Sequence, residues 1–213
     1  MAINIGARRF AKAQKRKAAV AEKRKAELQA GSLSGQVRSA AADPIQHCSL
    51  SEALLDTGMG MLVVARGATP YHVTMTVFLL DTFALGVKDA YLRSLSGRQF
   101  ADTMDRMAGI TPMRPVEPSY ARKLMHDLVT WSRGLGVAPH RDYAKCEPIF
   151  GTVDAAACDV EFRFGYEGKP LFIGDMSGLD LVESDGEFEI VDDLPDGVLP
   201  GHAAPVERHD QAD

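Results

Sequence analysis

The segment 61–80 sets the strongest constraint on the fold. Met61-Leu-Val-Val-Ala-Arg66 is apolar and valine-rich, Gly67-Ala-Thr-Pro70 is turn chemistry, and the run from Tyr71 to Leu80 is apolar and β-branched. Two such runs around a Gly/Pro turn predict an antiparallel hairpin, with Asp81 closing its second strand. A second hairpin is expected further on. Val160-Glu-Phe-Arg-Phe164 alternates apolar with charged residues, and residues 165–170 turn it into Leu171-Phe-Ile173.

The helical signals lie between these two hairpins. Ser96 with Gln99 matches a capping box, and Phe100, Met104 and Met107 share one face of the helix it opens. Pro118 suits the first turn of a longer helix. There Tyr120, Leu124, Leu128, Trp131 and Leu135 form a single apolar stripe, and Gly134 and Gly136 end it. His126 faces away from the stripe. A short helix is expected over 49–55, broken by Asp56-Thr-Gly58. The pattern implies an α+β fold: a single antiparallel sheet built from two β-hairpins, with two or three helices packed on one face, plus a basic N-terminal helix. A chain of 213 residues with 46% hydrophobic and 25% charged residues suits one domain with appendages. The most apolar run, 73–85, contains Thr74, Thr76, Asp81 and Thr82 and falls short of the roughly 20 apolar residues that span a bilayer.

Charge divides the chain into parts. The first 27 residues hold nine Lys or Arg against Glu22 and Glu27, a balance of +7. Residues 175–213 hold twelve acids against Arg208, a balance of −11, while the middle carries 14 basic and 15 acidic residues. A charged partner therefore meets one end of the molecule and not the average of −5. The expected domains are a basic helical arm over 1–30, a Gly/Ser/Ala linker over 31–43, an α+β core over 44–175 and an acidic, largely disordered tail over 176–213. On a helix, Arg8, Arg9, Lys12, Lys15, Arg16 and Lys23 fall within an arc of about 120°. Such a stripe suits a phosphate backbone, and with Phe10 as the arm's only ring it implies no base stacking. The large apolar residues of this helix are only Phe10, Val20 and Leu28, too few to insert into a membrane surface.

Chemistry-bearing residues are sparse. Asp81, Lys88 and Asp89 flank a strand end and the glycine-containing loop 82–87, where two carboxylates suit a divalent ion. His140-Arg-Asp142 follows Pro139 in a loop, so Asp81, Asp89 and His140 are the candidate catalytic residues, with His140 as a base. Against this, Asp81 reads more readily as a turn cap and His140 as a hydrogen-bonded loop residue. Neither a P-loop, a GxGxxG, an HExxH nor a nucleophile elbow is present, and the His-Arg-Asp triplet lacks the companions of a kinase loop. Cys48, Cys146 and Cys158 have no paired spacing and read as reduced thiols of a cytoplasmic protein. His140 with Cys146 and Cys158 lacks the spacing of a closed zinc site, so no metal and no cofactor is expected.

The stretches Gly58-Met-Gly-Met-Leu-Val-Val-Ala-Arg66, Leu79-Leu-Asp-Thr-Phe-Ala-Leu-Gly-Val-Lys-Asp89, Ala138-Pro-His-Arg-Asp142 and Phe162-Arg-Phe-Gly165 with Gly168-Lys-Pro170 resemble a family of uncharacterised bacterial proteins over about residues 58–174. The resemblance implies a bacterial, intracellular domain and no catalytic assignment. The leading expectation is thus a cytosolic binding protein, and not an enzyme, whose arm contacts RNA or a ribonucleoprotein. The alternatives are a small metal-dependent hydrolase of phosphodiesters and an antitoxin- or immunity-like module that meets a protein partner through its acidic tail.

Overall fold

The computed structural model describes residues 31–173 and 189–191. The architecture is α+β, with one antiparallel sheet. In chain order the elements are α1 (Leu33–Ala40), β1 (Ile45–Ser51), α2 (Leu54–Thr57), β2 (Met59–Thr69), β3 (His72–Asp81), β4 (Gly86–Ser96), α3 (Gly97–Ala108), β5 (Met113–Pro115), α4 (Pro118–Gly134), α5 (Tyr143–Cys146), β6 (Leu171–Ile173) and β7 (Glu189–Val191), with 3₁₀ turns at Glu147–Phe150 and Ala155–Ala157. The five-stranded sheet runs β4-β3-β2-β1-β5. Among the described residues no helix is long and apolar enough to cross a membrane.

The expected β2–β3 hairpin is present, paired from Met59↔Asp81 to Thr69↔His72. Its strands sit at the centre of the sheet with both faces covered. Leu62, Val63, Val64 and Ala65 are each 0% exposed, which is why the run is continuously apolar and does not alternate. One face packs Leu50, Leu62, Phe78 and Leu80 against α1, α4 and the Glu147–Phe150 turn. The other packs Val63, Val73, Met75 and Leu95 beneath Phe100, Met104 and Met107 of α3. The capping box at Ser96 and Gln99 forms, and the two helical stripes bury the faces their spacing implies. Leu124 and Leu128 at the centre of the α4 stripe are fully buried, whereas Tyr120 and Trp131 at its margin are partly covered.

Four local expectations give way. Of residues 49–55, expected as a helix, the first three end β1, and only Leu54–Thr57 is helical, stopped by Gly58 at φ 77°. The linker expected over 31–43 contains α1, whose Val37 is 0% exposed in the core. Strand β4 follows the loop after Asp81, where no strand is expected. A register shift between Leu79 and Leu80 places Lys88 in a bulge and inverts the phase of the apolar alternation on either side of it. The second hairpin is absent. Residues 160–164 are not a strand: Phe162 packs on Tyr120 at 5.0 Å and Phe164 on Trp131 at 5.5 Å, so the two-residue period comes from an extended segment laid along α4. Leu171–Ile173 pairs in parallel with Glu189–Val191 instead.

Trp131, the single tryptophan, reports on this packing directly. Phe164→Ala should move its fluorescence emission to longer wavelength, because its ring loses the aromatic cover that excludes water. Leu128→Ala should cost about 2–5 kcal/mol in urea unfolding. An unchanged emission maximum in the first variant would show that residues 160–164 do not lie along α4.

Candidate functional site

The three candidate catalytic residues lie around the β3–β4 connection. Asp81, at the end of β3, is 9% exposed, and its Oδ1 accepts hydrogen bonds from the backbone N–H groups of Phe83 at 3.0 Å and Ala84 at 2.9 Å. The carboxylate therefore caps the loop that Gly86 closes, at φ +70°, where a Cβ would stand 2.5 Å from the Ser132 hydroxyl. Burial raises the Asp81 pKa above its ordinary value, opposed by the backbone bonds from Ala84 and Phe83 and by the charge of Lys88.

Asp89 and His140 are brought together, but not in the geometry of a base and its orienting carboxylate. His140 Nδ1 stands 3.5 Å from Asp89 Oδ1 and 3.4 Å from the Asp142 N–H. One nitrogen cannot accept from that N–H and donate to Asp89 at once, so each tautomer leaves one contact unmade. What both residues do is close the outer edge of β4. The Gly97 N–H donates to Tyr71 C=O, which fixes the ladder phase and turns the backbone groups of residues 90, 92 and 94 outward. Asp89 Oδ1 accepts the outward Ala90 N–H at 2.7 Å, the His140 N–H caps Val87 C=O at 2.8 Å, and Gln99 Oε1 accepts the Ser96 N–H at 2.9 Å. An edge strand protected in this way resists pairing with another chain.

Other reactive groups are held in quiet surroundings. Among the described residues no group of three or more His, Cys, Asp or Glu is placed to hold a metal ion. Burial, reinforced by Glu117, pushes the Cys48 thiol up to about 12, and burial with Asp142 pushes Cys146 up to about 11, so both are unreactive thiols. His47 Nε2 lies 2.8 Å from the Ser49 hydroxyl, a spacing seen between a base and a nucleophile. Ser49, however, is 2% exposed on the sheet face that α3 covers, and the His47 ring meets Phe100 edge-on at 5.4 Å. The pair satisfies two polar groups within the core. Arg8, Arg9, Lys12, Lys15, Arg16 and Lys23 lie outside the described residues.

One concavity escaped the sequence reading. Between α4 and residues 143–155 is a cleft of about 370 Å³, lined by the polar side chains of His126, Tyr143, Glu147 and Asp154 and by the apolar Val153 and Ala155. Arg122 also lines it, donating to the carbonyls of Gly151 and Val153 and pairing with Glu147 at 3.4 Å. These residues come from separate segments, so no local motif announces them. Searches of protein-family models, curated proteins and solved structures returned no match to this chain.

The cap role of Asp81 carries a pH signature. A raised folded-state pKa means that the ionised form is disfavoured by folding, so the stability associated with Asp81 is complete below the unfolded pKa and declines as pH rises through the folded one. Asn accepts the same two backbone bonds without the charge. Asp81→Asn should therefore melt at or above the wild type at pH 7, with the gap closing as pH falls through the carboxylate range, as followed by circular dichroism. A variant that is less stable at pH 7 and equal at low pH would show that the ionised carboxylate is the stabilising form.

Proposed function

We propose that the protein is a cytosolic bacterial RNA-binding protein in which a neutral α+β core carries a basic arm onto the phosphate backbone of RNA or of a ribonucleoprotein. The observation that carries this reading is the charge layout. Nine Lys or Arg stand in the first 27 residues, beside a segment 31–173 with 14 basic and 15 acidic residues. A core so balanced supplies little long-range attraction of its own, so the field that a polyanion meets comes from the arm. The core's most evident carboxylates are spent on its own backbone, Asp81 in a loop cap and Asp89 on the β4 edge. That favours the binding reading over the hydrolase. The acidic tail, at −11, is a second contact surface for a basic protein partner.

The test is retention on RNA across a salt series. Deletion of residues 1–30 leaves the Ser32 cap of α1 in place and should abolish binding without lowering the melting temperature of the core. Six phosphate contacts to single-stranded RNA give log K against log salt a slope of about −4. Undiminished binding by the truncated protein, or a slope near zero, would contradict the proposal.

A further inference from the structure

We infer that the cleft between α4 and residues 143–155 binds a primary ammonium group carried on a small apolar body. Several polar valences of its lining remain unused. Arg122 Nη1 is committed to the carbonyls of Gly151 and Val153, and its Nη2 reaches Glu147 Oε1. The charge of Arg122 is countered by Glu147 in the same lining, and with Asp154 the carboxylates outnumber it, so the cleft disfavours an anion. The carboxylates are only half used. Glu147 engages one oxygen, at 3.4 Å, and Asp154 engages Oδ1, which accepts the Ala156 N–H at 2.9 Å. Each keeps its second oxygen as an acceptor, and the Tyr143 hydroxyl makes no hydrogen bond to any described residue.

Burial and the neighbouring Glu147 push the Tyr143 phenol up to about 12, so it remains a neutral group that accepts as well as donates. The cleft thus offers one ion-paired cation, two half-used carboxylates and a phenol, with Val153 and Ala155 as its apolar contacts. Hydrogen-bond donors bearing positive charge answer the acceptors, and a small apolar body answers the side chains of Val153 and Ala155. The volume of about 370 Å³ suits a small molecule or a single side chain. The ammonium has two sources, a free amine or a lysine side chain, and the chemistry of recognition is the same for both.

The experiment follows backbone amide shifts of Val153, Ala155 and His126 by NMR while full-length protein is titrated with 2-phenylethylamine, with Nα-acetyl-lysine N-methylamide, or with 2-phenylethanol as the neutral match. Saturable shifts with either amine, at least tenfold weaker with the alcohol, are expected. The amine that binds more tightly identifies the source. Asp154→Asn keeps the Oδ1 acceptor for Ala156, and Glu147→Gln removes only a partly exposed ion pair, worth little to stability. Each should weaken amine binding severalfold while the melting temperature holds. Shifts with neither amine, equal binding of the alcohol, or folded variants that bind as the wild type does would overturn the proposal; the alcohol comparison needs no variant.

Discussion

One guanidinium joins the parts of this molecule that are far apart in sequence. Arg66, in β2, is 7% exposed, and it donates from Nε to Ile149 C=O, from Nη1 to the carbonyls of Ala41 and Asp43, and from Nη2 to Phe150 C=O at 2.6 Å. The end of α1, the loop into β1 and the 3₁₀ turn after α5 all converge on it. A buried charge is costly unless its donors are satisfied, and carbonyls at chain ends are costly unless they find donors. Here each solves the other's problem. Gly151 follows from this arrangement, since at φ +56° a Cβ there would lie 2.9 Å from Ala41 C=O and 3.0 Å from the guanidinium. Arg122 repeats the device on the next stretch of chain, tying Gly151 and Val153 to α4. The irregular segment 147–158 is thus held by arginines and not by a ladder of its own, and the wall of the cleft beside α4 depends on both of them.

The same economy explains why the candidate carboxylates make a weak catalytic site. Asp81 and Asp89 sit at the end of a strand and beside a bulge, where backbone donors lack ladder partners, and each spends an oxygen on such donors. His140 adds its own N–H to Val87. These residues close a loop and shield a sheet edge, which are needs of the fold itself.

The sequence was legible where its period agreed with its burial. The β2–β3 hairpin, the capping box at Ser96 and the α4 stripe all have a dominant local pattern that tertiary packing reinforces. Strand β4 was not legible, because the bulge at Lys88 shifts the phase of its alternation by one residue. Residues 160–164 misled in the opposite sense: perfect alternation describes any extended chain with one covered side, and helix α4 covers this one as well as a sheet would. The role of Arg66 was hidden for a different reason. It stands at the end of an apolar run, where a charge reads as a terminator, and its acceptors are backbone carbonyls, which no side-chain pattern encodes. The cleft had the same obscurity, since its polar groups are drawn from three segments.

The central claim is that Arg66 joins α1 and the 147–153 segment to the sheet. Native-state hydrogen exchange of Arg66→Met tests it, since Met fills much of the same space and supplies no donors. The account predicts that amides of Val37 to Ala41 and of Phe150 to Val153 lose most of their protection while those at the centre of β3 remain slow. Protection that is unchanged in both regions, or that falls equally in β3, would contradict it.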